Sequence, residues 1–130
     1  MNKILVTGGA GYIGSHVTEQ LVKLKKNVVI LDNLKTGYKS LINKKAKFIK
    51  GDISNIKLLK KIIKHNNIST IIHLAGFIDV IESQRNKKKY YKNNVLGTLA
   101  LIKTIKNSTV KNFIFSSSAG VYGNIRNAAK

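Results

Sequence analysis

The chain of 130 residues has no cysteine, no proline and no tryptophan, and only five acids stand against 24 lysines and arginines. Without cysteine there is no disulfide framework and no thiolate-held metal, and no metal site is expected. No apolar run approaches the roughly 18 residues that cross a bilayer, so no membrane partner is expected. The opening MNKILVTGG meets glycine straight after a short strand-like run, too early for the apolar core of a secretory signal. A cytoplasmic protein is the expectation.

The scarcity of acids leaves a formal net charge of +19. A surface of that sign attracts phosphate backbones whatever their sequence. Sequence-specific readers of nucleic acid mix arginine with stacking aromatics. Here arginine occurs only at Arg85 and Arg126, and lysine, asparagine and isoleucine crowd every segment. That pattern matches the drift of an AT-rich coding sequence, and no specific nucleic-acid partner is expected.

What is present is a core. Hydrophobic residues make up 43% of the chain, enough for one domain. Short apolar runs predict strands over 3–7, 27–32, 46–52, 69–76 and 111–118. Ile13, Val17, Leu21 and Leu24 recur at helical spacing over 12–25. A second helix starts at Asn55, with Ile56, Leu59, Ile62 and Ile63 on its apolar face, and ends near 65–67, where asparagine suits a left-handed cap. A third runs from the high 80s to about 107, with Val95, Leu99, Ile102 and Ile105 as its face. Strands separated by helices predict α/β crossover units and a doubly wound parallel sheet of the Rossmann type, with about five strands in the order 3-2-1-4-5.

Between the first strand and first helix lies VTGGAGYIGSH, with Gly8, Gly11 and Gly14 spaced by two residues. In this context Gly8 makes the tight turn, Gly11 lets backbone N–H groups approach a pyrophosphate, and Gly14 permits close helix packing. The positive end of the helix then faces the anion. Asp32 ends the second strand, where a carboxylate accepts from ribose hydroxyls and repels a 2′-phosphate, so NAD is expected over NADP. Lys35 stands nearby as a possible counter-signal. Asp52 ends the third strand and is either an adenine ligand or an ordinary turn residue.

TGGAGYIGSH, LDNL, GDI, HLAG, YYKNNVLGT and FIFSSSAGVYG follow in order. Together they resemble the extended short-chain dehydrogenase/reductase superfamily, and within it the nucleotide-sugar 4-epimerases. The resemblance implies an NAD-binding domain over 1–123 followed by a divergent tail over 124–130. It implies that Tyr12 and Ile13 join the glycines at the pyrophosphate, and that Asp32, Asn33, Leu34, Lys35, Thr36 and Gly37 lie along the adenosine. It places Asp52 and Ile53 at adenine, Leu74, Ala75, Gly76 and Phe77 along the cofactor, and Asn93 beside it. It also implies a UDP-sugar substrate, a possible homodimer, and a reaction in which C4 of the sugar is oxidised and hydride returns to its other face.

Ser118 matches the family's catalytic serine, which holds the sugar O4 beside a tyrosine base and its lysine. The dehydratases of the superfamily carry an acid pair after that position, where this chain has Ala119 and Gly120, so the epimerase reading is preferred. Lys87 stands where the family has proline, and Ile78 and Asp79 stand where it often has lysine. None of Tyr90, Tyr91 and Tyr122 has lysine four residues on. The expectation is therefore the N-terminal part of an epimerase, without the Tyr-x-x-x-Lys base and substrate domain. The alternatives are a non-catalytic NAD-binding fragment and another epimerase or dehydratase of the superfamily.

Overall fold

The computed structural model describes residues 2–123, so the tail expected at 124–130 lies outside the described residues. Five strands, β1 (Lys3–Thr7), β2 (Val28–Asp32), β3 (Lys47–Lys50), β4 (Ile68–His73) and β5 (Asn112–Phe115), form one parallel sheet in the order β3-β2-β1-β4-β5. Val6 pairs with Ile30 on one side and Ile72 on the other. The expected sheet order and parallel sense are those observed.

Alternate strand residues point to opposite faces, and helices cover both. On one face Leu5, Val29, Leu31 and Ile71 pack with Leu59, Ile62 and Ile63 of α2 (Ile56–Asn66) and Leu101 of α5 (Gly97–Ile105). On the other, Val6, Val28 and Ile30 meet Leu21 and Val22 of α1 (Tyr12–Lys23). The Asn55 side chain caps α2 by accepting from the Leu58 N–H at 3.0 Å, and Asn67 closes it with φ +49°. No helix of the described residues is long and apolar enough to cross a membrane.

The single long helix expected from the high 80s runs unbroken over 87–105 but contains a π-helical stretch that the periodicity does not predict. After α3 (Val80–Arg85) come α4 (Lys87–Tyr90), a π-helical segment (Tyr91–Leu96) and α5. Its buried face also differs from the expected one: α5 buries Gly97, Ala100, Leu101 and Thr104, while Val95, Leu99 and Ile102 are exposed. The reason is distance. A Cβ on Gly97 would sit 2.9 Å from Ile53 Cδ1, so the helix approaches on its small residues and turns the larger apolar stripe outward. Ile105 alone of that stripe packs against the core. The first helix behaves alike, burying Gly14 and Thr18 and exposing Ile13 and Leu24, and Ile56 of α2 is exposed too. Strand β4 stops at His73 rather than at 76, because beyond the Leu74 N–H, which donates to the Thr7 carbonyl, the chain leaves the ladder.

Candidate functional site

The carboxyl ends of the strands converge on a cleft lined by Gly8, Gly11, Asp32, Asn33, Thr36, Gly37, Ile53, Leu74, Ala75, Gly76, Phe77 and Asn93, with Leu31 and Gly51 beside them. Gly8 has φ +74°, and a Cβ there would lie 2.8 Å from the Ala75 nitrogen. Gly14 is tighter still: a Cβ would come within 2.1 Å of the Gly8 carbonyl oxygen. The helix thus begins directly on the turn. Gly11 is its N-cap residue and no side chain caps that end, which leaves the first-turn N–H groups, Tyr12 and Ile13 among them, available to an anion. The Tyr12 and Ile13 side chains are exposed and do not line the cleft.

Asp32 is 8% exposed and fixes two pieces of main chain: Oδ2 accepts from the Ala10 N–H at 3.0 Å and Oδ1 from the Leu34 N–H at 2.8 Å. The loop after β2 is fastened a second time, since the Tyr38 N–H donates to the Ala10 carbonyl at 2.9 Å. Leu34 turns this loop in the left-handed region at φ +60°. Each carboxylate oxygen accepts more than one hydrogen bond, so Asp32 keeps capacity for a ribose diol. Leu34 and Lys35 lie outside the lining.

Asp52 also lies outside it. Its Oδ1 accepts from the Ser54 N–H and hydroxyl at 3.0 and 2.8 Å, and its Oδ2 accepts from Asn33 Nδ2 at 3.0 Å with Lys35 Nζ 3.6 Å away. Burial raises the pKa of this carboxyl, but the Ser54 main chain, Asn33, the Ser54 hydroxyl and Lys35 together bring it below the ordinary aspartate value. Asp52 therefore ties the end of β3 to the loop after β2. Its neighbours Gly51 and Ile53 face the cleft. Gly51 and Leu31 were not singled out from sequence, where a glycine before aspartate and a leucine inside an apolar strand look ordinary.

Across β1 the site is built on His73, which the sequence reading also missed. The Thr98 hydroxyl donates to the Asn94 carbonyl at 2.6 Å, so its oxygen accepts from His73 Nε2–H at 2.9 Å. His73 Nδ1 then accepts from the Thr7 hydroxyl at 2.6 Å. Burial pushes the imidazole pKa down to about 4, so the ring is neutral with its proton on Nε2. This chain anchors the start of the loop over 74–77, and Asn94 holds its end through the Phe77 main chain. Phe77 also packs 5.6 Å from the Tyr90 ring, with Lys89 Nζ 4.6 Å above it; Lys89 and Tyr90 both bind Glu82.

Ser118 is exposed and outside the cleft lining, where its oxygen caps a short turn by accepting from the Gly120 N–H at 3.1 Å. Among the described residues no three His, Asp or Glu side chains stand together to hold a metal. The cleft thus offers unpaired helix N–H groups for a pyrophosphate at its centre, a buried carboxylate for a diol on one side, and a loop with an asparagine on the other. That donor set fits a dinucleotide laid across β1.

The chain belongs to the NAD dependent epimerase/dehydratase family, whose model matches residues 4–129. It is 50% identical over 127 residues to the UDP-glucose 4-epimerase of Haemophilus influenzae, covering 92% of this chain and 38% of that protein. The crystal structure of UDP-glucose 4-epimerase from Brucella ovis in complex with NAD superposes with a TM-score of 0.90 at 38% identity, over 95% of this chain and 38% of that one. The enzyme from Bifidobacterium longum in complex with NAD+ and UDP gives 0.88 at 36% identity, over 97% and 40%. The chain thus spans about two-fifths of the length of these relatives.

Proposed function

We propose that the cleft binds NAD and that the chain is the cofactor-binding part of a nucleotide-sugar 4-epimerase that interconverts UDP-glucose and UDP-galactose. The observation that carries the reading is the joint built by Gly8, Gly14 and Asp32, in which an uncapped helix end and a buried carboxylate face one cleft. Tyr12, Ile13 and Gly11 would hold the pyrophosphate through main-chain N–H groups. Asp32 would accept from the adenosine ribose hydroxyls, with Asn33, Thr36 and Gly37 beside it and Leu34 and Lys35 completing that loop. Ile53 would pack on adenine, and Asp52 would act chiefly by holding Asn33. Leu74, Ala75, Gly76, Phe77 and Asn93 would line the remaining half.

Bound NAD supplies the hydride acceptor for C4 of the sugar. Ser118 would hold the sugar O4: its oxygen already accepts from the Gly120 N–H, which leaves its own proton to donate. Homodimer formation and a cytoplasmic location complete the reading, the former supported by the outward apolar stripe of Val95, Leu99 and Ile102. Calorimetric titration of the purified chain with NAD and with NADP tests the reading. NAD is expected to bind more tightly, and equal affinities would remove the role given to Asp32.

A further inference from the structure

Asn94 meets the main chain of Phe77 twice. Its Oδ1 accepts from the Phe77 N–H and its Nδ2 donates to the Phe77 carbonyl, both at 2.9 Å. A main-chain N–H only donates and a carbonyl only accepts, so the pair permits one orientation of the Asn94 amide. The oxygen so placed also lies 2.9 Å from Asn93 Nδ2. An acceptor at that point requires the NH2 of Asn93 opposite it, which leaves the side-chain Oδ1 as the free acceptor of Asn93, a residue that lines the cleft. Polarity passes from the Phe77 main chain through Asn94 to Asn93.

We infer that Asn94 is a positioning residue that sets the amide of Asn93 to present an acceptor, so that the cleft selects a ligand hydroxyl or amino group there. The inference rests on the proposed binding of NAD, whose ribose hydroxyls and carboxamide NH2 are donors of that kind. The surroundings make the setting rigid. The Asn94 carbonyl accepts from the Thr98 hydroxyl, which is fixed in turn by buried His73. The two asparagines lie in the π-helical segment, a distortion that recurs at functional sites. A residue that merely fastened the loop would need only its two bonds to Phe77, and Asn93 would then be free to flip.

Two measurements on the 130-residue chain separate these cases. In the NMR spectrum of the ¹⁵N-labelled, ligand-free protein, the Asn93 side-chain NH2 is expected to exchange slowly and to move to the free-amide position in Asn94→Ala. In NAD titrations, Asn93→Ala and Asn94→Ala should each weaken binding about 5- to 10-fold, the worth of one neutral hydrogen bond. The double variant should be no weaker than Asn94→Ala alone, because one route is being cut twice. Asn94→Asp keeps the acceptor toward Asn93 and the Phe77 N–H but sets its second carboxylate oxygen against the Phe77 carbonyl. It should keep the Asn93 NH2 in its slowly exchanging position without restoring the loop, and it carries the NMR comparison if the alanine variant does not fold. Losses that multiply in the double variant, wild-type affinity in Asn94→Ala, or a freely exchanging Asn93 NH2 in the wild type would overturn the inference. If the wild type binds no NAD, the proposed function fails, and the NMR result still decides the orientation of Asn93.

Discussion

Asp32 does two jobs that a substitution cannot separate, since the carboxylate facing the cleft also accepts from the Ala10 and Leu34 N–H groups. Asp32→Ala should weaken NAD binding by roughly 1.5–3 kcal/mol, the range for hydrogen bonds to a charged group. Asn is no conservative exchange, because its NH2 would oppose one of those two N–H donors. Calorimetry checks the affinity and thermal melting checks the loop. His73 makes stability depend on pH. Its folded pKa of about 4 lies below the ordinary 6.5, so on acidification the unfolded chain takes up the proton first. The stabilisation is complete above about 6.5 and is lost as pH falls toward 4, a difference worth about 3 kcal/mol. Asp52, also depressed, adds to the loss below 3.8. Denaturant unfolding between pH 7 and 4 should show the fall, and an NMR titration should find the His73 ring neutral at pH 5.

At the scale of elements, Gly14 and Gly76 give opposite expectations. Alanine favours a helix over glycine by about 1 kcal/mol, yet at Gly14 its Cβ would stand 2.1 Å from the Gly8 carbonyl oxygen. Backbone must move, so the clash wins. Gly14→Ala should cost about 3 kcal/mol, the upper end for overpacking, and NAD binding should fall with it. At Gly76 the nearest atom would be Asn94 Oδ1 at 3.6 Å, so Gly76→Ala should melt like the wild type. Circular dichroism melts of the two variants decide both. The glycines and Asp32 were legible because their spacing is local and follows a strand. The sheet order was legible because apolar runs alternate with amphipathic ones. The face of α5 was not, since periodicity finds an apolar stripe but not whether a stripe of small residues beside it fits closer to the sheet. His73 and Asn94 were hidden for a related reason. Their meaning lies in contacts to Thr7 and Phe77, far along the chain, and nothing adjacent in sequence marks them.

Over the whole molecule the charge is lopsided, with four of the five acids, Asp32, Asp52, Asp79 and Glu82, at the carboxyl ends of the strands or in the segments that follow them. The rest of the surface is left to lysine, and polyanion binding should be weak in sequence preference and steeply salt-dependent. Catalysis sets a harder requirement. Removing the proton from a C4 hydroxyl needs a base aligned with hydride transfer, because the hydroxyl is far too weak an acid to ionise unaided. A positioned general base contributes about 10²- to 10⁴-fold. Ser118 cannot be that base at neutral pH, and His73, the buried imidazole, has both ring nitrogens engaged by Thr7 and Thr98. The sugar would also be held from one side, without the positioning that supplies about 7–11 kcal/mol in well-oriented reactions. The purified 130-residue chain is therefore expected to bind NAD without converting UDP-galactose to UDP-glucose. Joined to a continuation that supplies Tyr-x-x-x-Lys and a sugar-binding domain, it should turn over, and Ser118→Ala in that longer chain should lower kcat more than it alters NAD affinity. A coupled assay of UDP-glucose formation reads both outcomes, and turnover by the 130 residues alone would mean that one of their own groups serves as the base.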